Sequence, residues 1–344
     1  MPETKEPTRI AIVGYGNIGR GVRLAIKANP DMDFVGIITR RPEQVSKQLS
    51  SEENMLPNIF NSLIFDFYEP KTWQDMGADV AILCGGSKTD LPWQGPYMAR
   101  HFPATVDSFD NHNHISSYFD IMNLVASSSG HISVISAGWD PGTFSLERVL
   151  GNAFIPGANS KGFYGLGEKG GLSQGHSDAV RRIPGVADAR QYTHAIHESL
   201  ERLRAGENPD LAKGDMHWRE VYVALTNDTP EERTRVEQAI KTDKDYFAPY
   251  KTEVHFVKKE ELSDKMPHDG VVVTAGTTER SNKARIEYQN YWESNPEATG
   301  SILVACARAA HKMRQKGAGA LTMLDLPASA LSPHSQEELL KHWM

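Results

Sequence analysis

Over the first 140 or so residues, short runs of apolar and β-branched side chains alternate with polar stretches, some of them with helical spacing. The runs predict six strands, at residues 10–13, 34–38, 64–66, 80–84, 105–107 and 131–135. Residues 116–126 repeat their apolar side chains with helical periodicity, whereas residues 44–53 form a variable, acidic and polar stretch with no element assigned. Strands that alternate with helices predict right-handed crossovers and a doubly wound parallel sheet of the α/β class.

From residue 142 onward the pattern changes to longer alternating or β-branched runs. They predict strands at residues 187–195, 218–225, 251–257, 270–275 and 285–292, with helices at 142–154, 198–205 and 231–242. Residues 162–165 and a glycine-rich loop follow the first of these helices, with no strand assigned to them. This order indicates a second, α+β domain with a mixed, largely antiparallel sheet. A strongly helical segment at 297–315 is expected to pack back on the first domain, and a capped helix is expected within 332–344.

The first predicted strand leads into a glycine turn, Gly14-Tyr15-Gly16-Asn17-Ile18-Gly19, and a helical pattern follows at once. Gly14 permits the tight turn, Gly16 lets the backbone approach a pyrophosphate, and Gly19 lets the helix pack against the strand. The helix N-terminus offers unpaired N–H groups to phosphates. Strand, turn and helix in this order predict a Rossmann-type dinucleotide site rather than a glycine loop without a ligand.

The second predicted strand is followed directly by Thr39, Arg40 and Arg41, and these three residues indicate which dinucleotide binds. An NAD site usually carries an acid here for the ribose 2′-hydroxyl, and an acid would repel a 2′-phosphate. Guanidinium groups grip phosphate oxygens through paired hydrogen bonds. The chain is therefore predicted to bind NADP(H) rather than NAD(H); the alternative is that both arginines are ordinary solvated charges.

Ligands of such folds gather outside the carboxyl ends of the strands, so the residues after the later strands are further candidates. The predicted cofactor contacts there are Gly85, Gly86, Ser87, Lys88, Ser108, Phe109, Asp110, Ala137, Gly138, Trp139, Asp140 and Pro141. Asp110 and Asp140 are expected to face the nicotinamide end, where carboxylates suit a cationic or amino-bearing substrate group. Either one alone would be explained equally well as a helix cap or turn residue.

Composition excludes several classes of protein. The chain has 37 basic and 44 acidic residues, a net charge of −7, so no overall positive field favours nucleic acid or an anionic membrane. Mean hydropathy is −0.47, and neither a signal peptide nor a membrane-spanning run is expected. Cys84 and Cys306 form no C-x-x-C pair, and His112 and His114 have no further ligands nearby, so neither a disulfide framework nor a metal site is expected. A soluble cytoplasmic protein is predicted.

Several segments that span nearly the whole chain carry a resemblance to known proteins. Besides residues 13–19 and 39–41, they are residues 84–90, 106–112, 138–142, 172–186, 191–193, 266–268 and 307–313. Together, and in this order, they resemble one family, the meso-diaminopimelate dehydrogenases. The run Leu-Ser-Gln-Gly-His-Ser-Asp at 172–178 is the most specific of them. The resemblance implies an NADP-dependent oxidoreductase, acting as a homodimer, that interconverts meso-2,6-diaminopimelate with L-2-amino-6-oxopimelate and ammonia in bacterial lysine and peptidoglycan-precursor synthesis.

The same resemblance implies roles for individual residues. Asp110 and Asp140 would act as the catalytic pair at the reacting amino group, beside Trp139 and Tyr164. The distal end of the substrate would be held by Thr193, Arg219, His268 and Asn295, with Gln174 and Gly175 on the loop between. Independently of the resemblance, the guanidinium of Arg219 can donate two parallel hydrogen bonds to a substrate carboxylate. The alternatives are that Arg219 is an exposed arginine at a strand edge and that His268 is a surface histidine. Tyr164 departs from the family, which often has Trp there, and the 166–171 loop is about four residues longer.

These inferences assign a dinucleotide-binding domain to residues 1–141, joined by about 297–344, and a substrate-binding and dimerisation domain to residues 142–296. Two other functions stay open. One is an NADP-dependent dehydrogenase of another amino acid or of a sugar, although the Glu-Lys-Pro motif usual in sugar-active relatives is absent. The other is a non-catalytic NADP(H) sensor, which would not need acids and an arginine arranged for a bipolar amino acid.

Overall fold

The computed structural model describes residues 6–54, 56, 60, 62–207, 209–263 and 265–344. They form two compact units. Unit 1 comprises the described residues up to Ser145 together with Pro296–Met344, and unit 2 comprises Leu146–Asn295. Among the described residues, the helices are all too short or too polar to span a bilayer.

A seven-stranded sheet forms the centre of unit 1. Numbered along the whole chain, its strands are β1 (Thr8–Val13), β2 (Met32–Thr39), β3 (Ile64–Asp66), β4 (Val80–Leu83), β5 (Ala104–Asp107), β6 (Ile132–Val134) and β14 (Gly319–Leu321). Their spatial order is β14-β6-β5-β4-β1-β2-β3, and all six pairings are parallel. The predicted parallel α/β sheet is confirmed, and β14 is a further edge strand that no sequence pattern had indicated.

Helices join these strands and cover the sheet. They are α1 (Asn17–Ala28), α2 (Pro42–Glu53), α3 (Pro70–Trp73), α4 (Leu91–Ala99), α5 (Ile115–Ser129), α11 (Asn295–Met313), α12 (Ala328–Leu331) and α13 (Gln336–Trp343). Helix α2 occupies the polar stretch to which the sequence assigned no element. It is helical because Val45 and Leu49, one turn apart, are fully buried under an otherwise polar surface.

Unit 2 contains two smaller sheets. The four-stranded sheet has the order β11-β10-β9-β8, formed by β8 (Gly171–Leu172), β9 (Val186–Ala195), β10 (His217–Leu225) and β11 (Thr252–Phe256). The three-stranded sheet has the order β13-β12-β7, formed by β7 (Asn159–Tyr164), β12 (His268–Thr277) and β13 (Lys283–Trp292). Only β10 and β11 pair in parallel among these strands, so the mixed, largely antiparallel character is confirmed. The strands nevertheless divide between two sheets rather than one.

The remaining helices are α6 (Phe144–Phe154), α7 (Gln174–Arg181), α8 (His197–Arg204), α9 (Lys213–Met216) and α10 (Pro230–Lys241). Val180 of α7 and Val236 of α10 pack with Val221 and Val223 of β10 in one apolar cluster. Since side chains alternate between the faces of a strand, Arg219 lies on the same face of β10 as these two valines. The apolar cluster thus fixes the face on which Arg219 is presented.

Candidate active site

The glycine turn between β1 and α1 has the geometry that a dinucleotide requires. Gly14 has a φ of +91°, a left-handed conformation, and a β-carbon there would lie 3.5 Å from the backbone carbonyl of Cys84. At Gly16, by contrast, a β-carbon would meet no atom within 4 Å. That side of the turn is therefore open to a ligand, while the other side is packed against the loop after β4.

A cavity of unit 1 opens beside this turn. Among the predicted cofactor contacts, it is lined by Gly14, Tyr15, Gly16, Thr39, Arg40, Arg41, Gly85 and Gly86. Gln94 of α4 also lines it; the residue is 4% exposed, and its Oε1 atom has no hydrogen-bond partner among the described residues. A buried acceptor of this kind is normally satisfied, so the cavity fits a ligand that carries both phosphate and hydroxyl or amino groups.

Arg40 is positioned by an acid that sequence reasoning had not singled out. Its Nη2 lies 2.9 Å from Oδ1 of Asp90, while Oδ2 of Asp90 accepts the Gly86 N–H at 3.0 Å. Asp90 therefore links the end of β2 to the loop after β4. The Arg40 side chain remains 43% exposed, so its guanidinium is still accessible to a phosphate.

Tyr15 has a structural part in the turn. It is 3% exposed, and its hydroxyl donates to Oε2 of Glu52, at the end of α2, at 2.8 Å. Burial, and then this carboxylate, raise the pKa of Tyr15 far above its ordinary value. The phenol is thus neutral at physiological pH and fastens the glycine turn to α2.

The remaining predicted cofactor contacts lie outside the walls of this cavity. Asn17, Ile18 and Gly19 begin α1, Ser87 and Lys88 precede α4, and Ser108, Phe109, Asp110, Ala137, Gly138, Trp139, Asp140 and Pro141 follow β5 and β6. The backbone N–H of Asp110 donates to Oγ of Ser87 at 3.1 Å, which joins the loop after β5 to the loop after β4. Trp139 is 8% exposed and packs against Phe144, with ring centroids 5.3 Å apart. Asp110 is exposed and Asp140 half-buried.

Asp107, the last residue of β5, organises the backbone around these loops. It is 1% exposed, and its Oδ1 accepts the N–H groups of Phe109 and Ser136, each at 3.0 Å. Its Oδ2 accepts the Tyr118 hydroxyl at 2.8 Å. Burial raises the pKa of Asp107 to about 6, against these three hydrogen bonds, which lower it.

Unit 2 holds a buried cation, Arg219, which is 6% exposed. Its Nη1 donates to Oγ1 of Thr193, the residue directly opposite it on the antiparallel strand β9. Its guanidinium carbon lies 4.2 Å from the centre of the Tyr250 ring. No carboxylate of the described residues lies within ion-pair distance, and Nε has no partner among them. A buried guanidinium left without an anion is costly, which makes this position suited to a ligand carboxylate.

His268 and Tyr164 lie beside Arg219. Burial, and then the charge of Arg219, lower the pKa of His268 to about 4, so its imidazole is neutral at physiological pH. Tyr164 stacks on His217 at 5.1 Å, and its hydroxyl accepts from Nη2 of Arg148 at 2.7 Å. A β-carbon at Gly171 would lie 2.3 Å from Nδ1 of His268, so only glycine fits next to this ring.

Two further predicted residues form a pair beside strand β8. Nδ2 of Asn295 donates to the Leu172 carbonyl at 3.0 Å, and Nε2 of Gln174 donates to Oδ1 of Asn295 at 3.3 Å. Gly175 follows as the second residue of α7, whose N-terminus is capped by Ser173. The structure therefore brings Thr193, Arg219, Tyr164 and His268 together, and places Gln174, Gly175 and Asn295 around the chain that continues from Gly171.

The long loop between β7 and β8 is anchored by one acid. The N–H groups of Leu166 and Gly167 donate to the two carboxylate oxygens of Asp269, at 2.9 and 3.2 Å. Gly170 closes the loop by donating to the Gly167 carbonyl at 2.9 Å. Residues 166–170 thus form an ordered turn that returns the chain to Gly171.

No group of three or more potential metal-ligating His, Cys, Asp and Glu side chains occurs in the part of the chain that the structure describes. His112 and His114 are exposed on a short 3-10 turn before α5.

Comparison with known proteins places this geometry in a family. Residues 138–294 match the model of the diaminopimelic acid dehydrogenase C-terminal domain. The meso-diaminopimelate D-dehydrogenase of Ureibacillus thermosphaericus is 46% identical over 97% of this chain and 98% of its own length. The Corynebacterium glutamicum enzyme of that name is 40% identical over 96% of this chain and 98% of its own length.

Solved structures agree with these relatives. The C. glutamicum DAP dehydrogenase in complex with DAP has a TM-score of 0.88 at 38% identity, over 99% of this chain and all of that one. An engineered D-amino acid dehydrogenase bound to NADP+ has a TM-score of 0.86 at 37% identity, over 98% of this chain and all of that one. With this similarity along almost its whole length, the chain belongs to the meso-diaminopimelate D-dehydrogenase family, oxidoreductases that act on a CH–NH2 group.

Proposed function

We propose that this chain catalyses the reversible, NADP-dependent oxidative deamination of meso-2,6-diaminopimelate at its D-configured centre, giving L-2-amino-6-oxopimelate and ammonia. The reaction would serve lysine biosynthesis. The observation that supports it most is Arg219, a buried guanidinium whose Nε has no partner among the described residues. A substrate carboxylate would complete its hydrogen bonding and offset the cost of its burial.

Asp110 and Asp140 are the proposed catalytic residues. The substrate amine is an ammonium at neutral pH and must lose a proton before its lone pair can expel a hydride from the adjacent carbon. The two carboxylates would hold that ammonium, accept its proton and stabilise the positive charge that develops on the iminium. Water then adds to the iminium carbon, and ammonia leaves. NADP+, when bound, supplies the acceptor for the hydride.

Specificity for one of the two stereocentres is proposed to come from the residues of unit 2. Arg219 would bind the distal carboxylate, while Thr193, neutral His268 and Asn295 would bind the distal amino-acid group. Tyr164, Gln174 and Gly175 would also line the substrate pocket, and Trp139 would lie beside the reacting centre. Because His268 is neutral at physiological pH, it can accept a hydrogen bond from an ammonium group.

The cofactor is proposed to bind in unit 1, and unit 2 to serve as the substrate and dimerisation domain. The glycine turn would hold the pyrophosphate, and Arg40 and Arg41 the 2′-phosphate, with Thr39 beside them. The other contacts would be Gly85, Gly86, Ser87, Lys88, Ser108, Phe109, Ala137, Gly138 and Pro141. The open side of Gly16 and the buried acceptor of Gln94 both favour a nucleotide there.

A homodimer is proposed as the active form. Strand β13 is an edge strand of its sheet, and Tyr291 on it is 65% exposed. Exposed aromatic side chains on an edge strand are suited to burial against a second copy. Light scattering on a gel-filtration column tests this, since a dimer has twice the 38.2 kDa mass of the chain. The proposed location is the cytoplasm, in keeping with the two free cysteines.

One spectrophotometric experiment tests the function. Purified protein is mixed with NADP+ and meso-diaminopimelate, and the appearance of NADPH is followed, with L-glutamate, D-alanine and glucose as alternative substrates. We expect reduction with meso-diaminopimelate at a rate at least 100-fold above that with the others, because only it carries a second amino-acid group for Arg219. A higher rate with another amino acid would assign a different dehydrogenase, and NADP+ binding without any reduction would assign a sensor.

A further inference from the structure

The loops after β5 and β6 meet at a single buried carboxylate. Oδ1 of Asp107 accepts one N–H from each loop, from Phe109 and from Ser136, both at 3.0 Å. The Asp107 carbonyl adds a third link, because it accepts the Ala137 N–H at 2.8 Å. We call this set of hydrogen bonds, together with the one from the Tyr118 hydroxyl to Oδ2, the Asp107 bridge.

The surroundings of the Asp107 bridge make it rigid. The Phe109 ring stacks on the Tyr118 ring with centroids 4.1 Å apart, and both residues are at least 97% buried. Ser136 has a φ of +53°, a left-handed conformation that is unfavourable for a residue with a β-carbon. Its N–H bond to Asp107 is thus made by a backbone that the surrounding structure must hold in place.

The two loops carry the catalytic candidates only a few residues farther on. Asp110 is the next residue after Phe109, and Asp140 lies four residues after Ser136. We propose that Asp107 is a positioning residue, which fixes the backbone of both loops and so sets where the carboxylates of Asp110 and Asp140 stand. This proposal rests on the function proposed for the chain, because it gives Asp107 a part in the same reaction without contact with substrate.

Geometry rather than charge is what the Asp107 bridge supplies. In Asp107→Asn, the amide oxygen can still accept both N–H groups, and the amide nitrogen can donate to the Tyr118 oxygen. In Asp107→Ala, all three of these hydrogen bonds are lost, and two buried N–H groups lose their acceptor. The two variants therefore separate the hydrogen-bond geometry from the negative charge.

The experiment compares wild type, Asp107→Asn, Asp107→Ala and a control, Thr105→Val. Thr105 is 1% exposed and lies within β5, two residues before Asp107. Its hydroxyl is hydrogen-bonded to that of Ser133 on β6 at 2.8 Å, so it links the same two strands rather than the loops after them. The assays are kcat and KM for meso-diaminopimelate at 20 °C, the Kd of NADP+ by calorimetry, and hydrogen exchange of residues 108–111 and 136–140. Circular dichroism establishes that each variant is folded at that temperature.

We expect Asp107→Ala to lower kcat by about 10- to 100-fold, because small misplacements of reacting groups are costly. Hydrogen exchange should accelerate in both loops, while Asp107→Asn and Thr105→Val stay within about threefold of wild type in kcat. If Asp107→Ala does not fold, Tyr118→Phe replaces it, since it removes one donor and keeps the ring stack; a drop of about threefold or more in kcat is then expected.

Wild-type kcat and loop exchange in Asp107→Ala, or in Tyr118→Phe where that variant is used, would overturn the proposal. A loss in Asp107→Asn as large as in Asp107→Ala would also overturn it, since charge would then be decisive. A wild-type protein that fails to oxidise meso-diaminopimelate refutes the proposed function instead. In that case the hydrogen exchange of the two loops still decides whether Asp107 fixes them.

Discussion

The guanidinium carbon of Arg219 lies 4.2 Å from the centre of the Tyr250 ring, although the two residues are 31 positions apart in the chain. Strand β11 brings them together, because it begins just after Tyr250 and runs parallel to β10, where Arg219 pairs with Thr252. The ring holds one face of the planar guanidinium, while Thr193 accepts from one of its nitrogens. The Arg219 guanidinium is thereby held in one orientation in the absence of a ligand carboxylate.

This stack gives a first prediction. Tyr250→Ala should raise KM for meso-diaminopimelate about tenfold with little change in kcat, because a buried cation–π contact contributes roughly 1 to 2 kcal/mol to holding the guanidinium. Tyr250→Phe keeps the ring and is the matched control, expected within about threefold of wild type. Steady-state kinetics at saturating NADP+ provide both constants. Equal KM values in the alanine variant and wild type would refute the orienting role of Tyr250.

Cofactor choice is predicted to depend on Arg40. Arg40→Ala should raise the Kd of NADP+ by about 10- to 100-fold, since a charge-assisted hydrogen bond contributes roughly 1.5 to 3 kcal/mol. The Kd of NAD+, which lacks the 2′-phosphate, should stay within about twofold in the same variant. Calorimetric titration of both nucleotides measures this, with Arg100→Ala as the control. Arg100 is the exposed residue directly after α4, and its substitution removes the same charge away from the cavity. A parallel loss for NAD+ would mean that Arg40 does not read the phosphate.

Turnover is predicted to depend on Asp140. Asp140→Ala should lower kcat by about 100-fold or more, because proton transfer and charge stabilisation at the amine are lost together. NADPH binding, followed by its fluorescence, should be nearly unchanged. Asp120→Ala, an exposed acid on α5, is the control for the loss of one negative charge. Undiminished turnover in Asp140→Ala would remove this residue from the catalytic pair.

His268 is predicted to make stability depend on pH. Its pKa is lowered to about 4 in the folded protein, from an ordinary 6.5, so the unfolded chain binds the proton more tightly. The free energy of unfolding therefore rises with pH between about 4 and 6.5 and is independent of this group above 6.5. Between pH 6.5 and pH 4.5, wild type should lose roughly 2 kcal/mol more than His268→Asn. Urea unfolding of the two proteins at four pH values tests this, and parallel curves would show that the folded site does not disfavour the imidazolium.

Arg308 of α11 is predicted to stabilise unit 1. It is 3% exposed and donates to Asp31 at 2.9 Å, to Asn29 at 2.7 Å and to the Leu331 carbonyl at 2.8 Å. Arg308→Met should lower the free energy of unfolding by about 3 kcal/mol, because Asp31, Asn29 and the Leu331 carbonyl lose the buried cation that donates hydrogen bonds to them. Thermal unfolding measures this. The control is Arg314→Met, at a more exposed arginine directly after α11, which is expected to lower the free energy of unfolding by under about 1 kcal/mol. Equal midpoints for the two variants would contradict the role of Arg308.

The sequence indicated the elements that are buried on both faces or strongly periodic. Strand β4 and residues 10–13 of β1 are apolar because neither face of the sheet meets water there, and the glycine turn has a steric requirement that only glycine fulfils. Strand β14 escaped detection because three residues carry no periodicity, and α2 because only Val45 and Leu49 mark its buried side.

The site was predicted less completely, for a different reason. Asp90, Asp107 and Tyr250 contact residues far away in the chain, and no local pattern encodes those contacts. Asp107 illustrates this. In the sequence it is one acid in a Val-Asp-Ser-Phe-Asp run, and its partner Ser136 lies in the loop after the next strand, β6. Only the parallel pairing of β5 with β6 brings the two together.

The discontinuity of unit 1 has a consequence for synthesis. Strand β14 and helix α11 are encoded after all of unit 2, so a nascent chain that has reached residue 295 can complete unit 2 while β6 is still the open edge of an unfinished sheet. Such an edge invites pairing with other chains. Residues 296–344 thus complete unit 1 after unit 2 has been synthesised. A chain that terminates before them would expose β6 as an unpaired edge and would be prone to aggregation.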